Sequence, residues 1–127
     1  MQRWNVLKLA HMESGPVKPV IWIGSAHDDL VRLSEQVQDE IGYALYFAQQ
    51  AKRHPAAKPL KGFGGAGVLE IIAIDVGGTY RAVYTVKFAG AVYVLHVFQK
   101  KSRKTSQADI ALARGRLRAV LATRRHT

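Results

Sequence analysis

The feature that most constrains the fold is a change in hydrophobic period near the middle of the chain. Before residue 55, apolar side chains recur at the spacing of one helix face, namely Val37, Ile41, Leu45 and Ala48. After residue 67 the chain has three strand-like runs, at 68–76, 79–88 and 91–98, separated by Gly77-Gly78 and Ala89-Gly90. Turn residues of this kind are typical of hairpins. The pattern therefore predicts a helix followed by a three-stranded antiparallel meander.

A short strand and a short helix are predicted before the helix that contains Val37 to Ala48. Residues 19–24 are β-branched and aromatic and end at a glycine, which predicts a strand buried on both faces. Ser25 and Ser34 are suitable N-cap residues for two successive helices. The second helix is expected to end near Arg53, because the residue before Pro55 is biased away from helical angles.

The remaining segments complete an α+β fold. Residues 55–67 are rich in glycine, proline and alanine and predict a mobile basic loop. Thr105 or Ser106 is expected to cap a C-terminal helix. The predicted order is strand, two helices, three-stranded antiparallel meander and helix, with the N-terminal helices packed on one face of the sheet.

Composition narrows the class of protein. The 127 residues suit one domain, and a formal charge of +10 favours a polyanionic partner such as nucleic acid. The chain lacks cysteine and its five histidines are scattered, so we expect neither a metal site nor a cofactor. The most apolar stretch, 82–98, is too short for a membrane span. We therefore expect a cytoplasmic protein that does not engage membranes.

The two ends are expected to lie outside the domain. Residues 1–17 contain His11-Met12 and Gly15-Pro16 and predict a disordered leader or tag, without the features of a signal peptide. The domain is expected to span 18–122. Residues 123–127 are a basic tail.

A candidate RNA-binding surface lies on the second meander strand. Alternation places Arg81, Val83, Thr85 and Lys87 on one face, and Tyr80, Ala82, Tyr84, Val86 and Phe88 on the other. Val92, Val94, His96 and Phe98 share a face of the next strand, although the pairing register is open. Cations on such a surface can grip phosphates, and Phe98 can stack on a base. From alternation alone, a surface pair between Arg81 and Glu70 is the favoured role of the arginine.

Three successive motifs change that preference, because they resemble the signatures of phage-derived HigB-like toxins in the RelE/ParE superfamily. The motifs are Lys58-Pro59-Leu60-Lys61-Gly62, Tyr80-Arg81-Ala82-Val83-Tyr84, and the run from Leu95 to Thr105. The similarity covers roughly residues 18–122, and Asp109-Ile110 and Ala113-Arg114 continue it.

The resemblance implies a RelE-like fold and metal-independent cleavage of mRNA on the ribosome, neutralised by a helix-turn-helix antitoxin. It implies that Arg81 contacts the scissile phosphate and that Lys100 and Lys101 hold the RNA there. Lys100, Lys101 and His96 are further candidate catalytic residues, and a structural role is the favoured alternative for His96. Further side chains would bind RNA, namely Lys58, Lys61, Phe98, Arg103 and Lys104. On this view Arg81→Ala is expected to abolish cleavage and leave the fold intact.

The sequence also departs from the family pattern. Relatives commonly carry Glu-Leu-Arg where this chain has Glu70-Ile71-Ile72, so one cation is missing. No counterpart of the catalytic C-terminal tyrosine or histidine is evident, and Tyr84 and His96 are the candidates. Two alternatives therefore stay open: a ParE-like toxin that binds a topoisomerase without catalysis, and an inactive phage-derived member.

Overall fold

The computed structural model describes residues 17–65 and 67–125, so most of the predicted leader lies outside the described residues. The elements follow in the order β1 (Val20–Trp22), α1 (Ala26–Val31), α2 (Glu35–Gln49), β2 (Lys58–Pro59), β3 (Val68–Asp75), β4 (Gly78–Thr85), β5 (Val92–Lys100) and α3 (Gln107–Arg125). The predicted α+β class and the meander are confirmed. Among the described residues, no helix combines the length and apolar character needed to cross a membrane.

The strands form one five-stranded sheet in the order β1-β5-β4-β3-β2. β1 pairs in parallel with β5, so it is an edge strand with Ile21 exposed. The prediction that this strand is buried on both faces was wrong, because an apolar run alone does not indicate which neighbours a strand acquires. The short strand β2 arises within the predicted loop and pairs with β3.

One side of the sheet is closed by the first two helices. α1 contacts β5, and α2 contacts β3 and β5. The helical stripe of α2 is fully buried there, as predicted, together with apolar side chains of the sheet that include Ile71, Ala82, Tyr84 and Val94. We call this side the closed face. α2 ends at Gln49 rather than near Arg53, because Ala51 adopts a left-handed conformation (φ 60°) and stops the helix.

The opposite side of the sheet, which we call the open face, is only partly covered, by α3, which contacts β5. Val83 and Leu95 pack there against Ala113, Leu117 and Val120. Phe88 also lies in this cluster. The prediction that Phe88 shares a face with Tyr84 was wrong, because β4 ends at Thr85 and alternation does not continue beyond a strand.

A β-bulge divides the residues of β5 between the two faces. The register between β4 and β5 shifts at Val83/Tyr84, where His96 pairs with Val83 but Val94 pairs with Tyr84. Leu95 is the extra residue, so Val94 faces the closed side while His96 and Phe98 face the open side. The predicted common face of Val92, Val94, His96 and Phe98 is therefore wrong. The bulge joins His96 and Phe98 to the face of Arg81.

Candidate nucleic-acid interface

Strand register places the predicted side chains in rows across the open face. Arg81 lies between Ile72 and Phe98, and Thr79 lies beside Lys100. The next row runs from Lys58 through Glu70 and Val83 to His96. Directly paired residues project from the same face. Lys58, Arg81, His96, Phe98 and Lys100 therefore share one face of the sheet, which extends over four strands, or about 14 Å.

A groove of about 310 Å³ opens at one end of this surface, between the end of β5 and the first turn of α3. We call it the cationic groove. Its walls come from two short stretches of chain, namely Phe98, Gln99, Lys100, Lys101, Ser102, Lys104, Ser106 and Asp109. Three ammonium groups and one carboxylate thus border one concavity. Arg103 is exposed in the same loop but does not line the groove.

Arg81 lies below the surface, with 7% of its area exposed. Its Nη1 donates to the Glu70 carboxylate and to the Thr105 hydroxyl at 2.8 Å. The pairing with Glu70 that alternation favoured is present, but the pair is buried rather than superficial, and Thr105, in the loop between β5 and α3, accepts from the same guanidinium nitrogen. Arg81 Nε has no hydrogen-bond partner among the described residues. Ile72, at the position of the missing family cation, lies directly opposite Arg81 on β3.

His96 is also buried, with 6% of its area exposed. Its Nε2 lies 2.7 Å from Asp109 Oδ1, and its ring stacks on Phe98 at a centroid distance of 4.4 Å. Phe98 is only partly buried. His96 therefore does not line the cationic groove, but it contacts two residues that do, Asp109 and Phe98.

Tyr84 lies on the closed face and is fully buried. Burial raises its pKa to about 12, since removal from water disfavours the phenolate. The structure thus places this candidate in the core, away from the groove.

The lysines of the earlier motif lie at the far end of the open face. Lys58 is exposed on β2, at the sheet edge opposite the cationic groove. Lys61 is exposed in the loop that follows. Arg114 of α3 holds this loop by donating from Nε and Nη2 to the Gly62 carbonyl, at 3.1 and 2.9 Å. The two lysine motifs therefore lie at opposite ends of one face of the sheet, and neither Lys58 nor Lys61 lines the cationic groove.

Sequence reasoning missed the contacts made by Thr105 and Asp109. Ser106 and Asp109 have the spacing of a capping box, and the Ser106 hydroxyl accepts from the Asp109 backbone N–H at 3.1 Å. That spacing was a usable signal, because it places Asp109 in the first helical turn beside the end of β5. The contact between Thr105 and Arg81 has no comparable local signal.

The fold is shared with a solved RelE structure. A mutant of the E. coli toxin RelE in the free state aligns with a TM-score of 0.58 and 19% identity, over 80% of this chain and 98% of that one. A chain of the toxin–antitoxin complex RelBE2 from Mycobacterium tuberculosis aligns with a TM-score of 0.38 and 26% identity, over 68% of this chain and 94% of that chain. The first alignment confirms the predicted RelE-like fold.

The architecture thus defines a small, basic α+β protein with a RelE-like fold. The sequence profile of the family described as "Phage derived protein Gp49-like (DUF891)" matches residues 28–118, more than half of the chain. The chain belongs to this family. No curated protein matches it significantly. The RelE-like fold and the phage-derived origin implied by the three motifs are confirmed, while the HigB-like subfamily stays a prediction.

Proposed function

We propose that this chain is the toxin of a type II toxin–antitoxin system and that it cleaves mRNA on the ribosome. The observation that carries the proposal is the cationic groove, which is lined by Lys100, Lys101 and Lys104 together with the partly buried Phe98. Such a surface suits single-stranded RNA, because ammonium groups attract phosphates and an aromatic ring stacks on a base. The RelE-like fold and the Gp49-like family support the same class of protein.

The proposed chemistry uses the RNA's own nucleophile. The 2′-hydroxyl attacks the adjacent phosphorus, a 2′-O–P bond forms, and the bond from phosphorus to the 5′-oxygen breaks. A groove lysine donates a proton to the leaving oxygen and regains one from water, which leaves a 2′,3′-cyclic phosphate and a 5′-hydroxyl. The other lysines stabilise the negative charge that builds on the phosphate oxygens.

Arg81 has a conditional role in this proposal. Its guanidinium is held by Glu70 and Thr105 below the surface, so a contact with the scissile phosphate requires Thr105 and its loop to move aside. Lys100 and Lys101 need no such movement. Lys58 and Lys61, with Arg103 at the other end, would hold the RNA on either side of the cleaved bond.

The proposed partners follow from the same surface. A helix-turn-helix antitoxin would neutralise the toxin by covering the cations with an acidic or apolar segment. The RelBE2 structure is itself that of a toxin–antitoxin complex. A target on translating ribosomes would place the protein in the cytoplasm.

A second function is favoured by one observation, the burial of Arg81 next to Ile72. A ParE-like toxin that blocks a topoisomerase by binding needs no exposed catalytic arginine. In that case the cationic groove would serve protein recognition instead of RNA cleavage.

Induction followed by mapping of mRNA 5′ ends tests these functions. We expect growth arrest with new ends inside translated frames, and loss of both in Lys100→Ala/Lys101→Ala. The matched control is Arg32→Ala/Lys52→Ala, which removes two exposed cations outside the groove and should remain toxic. Arrest with DNA damage and intact messages would instead support the topoisomerase function. Absence of arrest would indicate an inactive member.

A further inference from the structure

The chemistry proposed above requires a group that takes the proton of the 2′-hydroxyl. Resting on that proposed function, we propose that this proton acceptor is the Asp109 carboxylate. Asp109 is the one carboxylate among the residues that line the cationic groove. Its side chain is 29% exposed, so it is open to a substrate that the lysines hold.

Other side chains that accept protons on the sheet are less available. Tyr84 lies in the core on the closed face. Glu70 is engaged with Arg81 and buried. His96 is buried with its Nε2 directed at Asp109. Among the described residues of the open face, Asp109 is the acceptor that both borders the groove and reaches solvent.

Two hydrogen bonds fix the Asp109 carboxylate. His96 Nε2 lies 2.7 Å from Oδ1, and the Ser106 hydroxyl donates to Oδ2 at 2.7 Å. A carboxylate has about four lone-pair sites, so these contacts orient the group and leave sites for a substrate hydroxyl. Orientation of this kind lowers the cost of bringing the base to its proton.

His96 acts in this arrangement as a positioning residue. Its Nδ1 is buried and has no hydrogen-bond partner among the described residues. A neutral ring with its proton on Nε2 donates to Asp109 and leaves no N–H unsatisfied, whereas a doubly protonated ring would bury an unpaired donor. The stack on Phe98 fixes the plane of the His96 ring. His96 therefore orients both the Asp109 carboxylate and the Phe98 ring.

Each proton moves to a named group in the proposed reaction. As the 2′-oxygen bonds to phosphorus, its proton passes to a carboxylate oxygen of Asp109. The 5′-oxygen leaves with a proton from a groove lysine, and after product release Asp109 gives its proton to water while the lysine regains one. The electron pair of the broken P–O bond stays on the 5′-oxygen.

Asp109 also has a structural role, since it completes the cap at the start of α3 with Ser106. The test must separate the two roles. Asp109→Asn keeps the size and a hydrogen-bonding oxygen but cannot accept the proton. Asp29→Asn is the matched control, because Asp29 is likewise a carboxylate in a first helical turn and accepts from Ser25 at 2.8 Å, but in α1 and outside the groove.

We would measure single-turnover cleavage of mRNA on purified programmed ribosomes, with protein concentration varied to separate rate from binding. Asp109→Asn should lower the maximal rate by about 10²–10⁴-fold with little change in half-saturating concentration. Asp109→Glu should restore part of the rate, and Asp29→Asn should match the wild type. A maximal rate for Asp109→Asn within threefold of wild type would overturn the inference while the nuclease function stands. A wild-type protein that leaves mRNA intact would overturn the nuclease function and the inference with it.

Discussion

The two faces of the sheet differ although the same strands build both. On the closed face, side chains of β3, β4 and β5 pack against α1 and α2 in an almost wholly apolar core. On the open face, buried polar side chains alternate with apolar ones along those strands, namely Glu70, Arg81, Thr85 and His96. Each strand thus gives one face to an apolar core and the other to a layer of mixed polar and apolar side chains beside α3.

The difference shows how the fold separates stability from chemistry. The closed face is stabilised by burial of apolar area, which contributes about 25 cal/mol per Å² removed from water. The open face contains groups whose burial is costly unless they are paired. Glu70 has Arg81, and His96 has Asp109. The open face therefore tolerates the loss of a single partner less well than the loss of a whole pair.

The largest effect on the free energy of unfolding is expected at Arg81, and it tests the difference between the two faces. Arg81→Ala leaves the buried Glu70 carboxylate without its cation, which typically costs about 3–5 kcal/mol. The sequence-based expectation of an intact fold therefore changes: we expect a large loss of stability along with any loss of cleavage. Urea unfolding followed by circular dichroism measures the free energy.

A double variant separates the effect of removing the whole ion pair from the effect of removing one of its two members. Glu70→Leu/Arg81→Leu removes both charges, and such replacements of buried pairs are often neutral or stabilising. Arg103→Ala, which removes an exposed arginine, should change the free energy of unfolding by less than about 0.5 kcal/mol. If Arg81→Ala unfolds like Arg103→Ala, the buried pair does not stabilise the open face as described.

A smaller effect, on binding rather than folding, is expected at the cationic groove. Removal of Lys100 and Lys101 should weaken the salt dependence of single-stranded RNA binding, since each phosphate contact contributes about 0.7 to the slope of log K against log salt concentration. The magnitude of the slope is expected to fall by about 1.4, with little change in the free energy of unfolding because Lys101 is exposed and Lys100 is only partly buried. Fluorescence anisotropy over a salt series measures it. An unchanged slope would mean that RNA binds outside the cationic groove.

Much of the fold follows from local patterns. The helical period from Val37 to Ala48 predicted α2 and its buried stripe, and the turn residues at Gly77-Gly78 and Ala89-Gly90 predicted the antiparallel meander. These signals work because hydrophobic period and turn chemistry act within a few residues. Pairing of β1 with β5 is not local, and no period in 19–24 indicates it.

The sequence predicted which residue types form the candidate site, but not which of them are buried. The lysines were identified by motif, and register does bring Lys58 and Lys100 to one face. The bulge at Leu95 decides which β5 residues join them, and alternation cannot reveal an inserted residue. The burial of Arg81 depends on Thr105, a contact between positions 24 residues apart in the sequence.

The smallest expected effect returns to the closed face, at Tyr84. Its hydroxyl is buried without a hydrogen-bond partner among the described residues, and burial raises its pKa to about 12, so it stays protonated at neutral pH. Tyr84→Phe removes only this desolvated hydroxyl. We expect the free energy of unfolding to stay equal or to rise by up to about 1 kcal/mol, because an unsatisfied polar group costs energy when buried. Cleavage should be unchanged, which a rate measurement on the same ribosomes checks. A fall in rate at unchanged stability would mean that the two faces are not functionally separate, since a side chain of the core would then act on the chemistry of the open face.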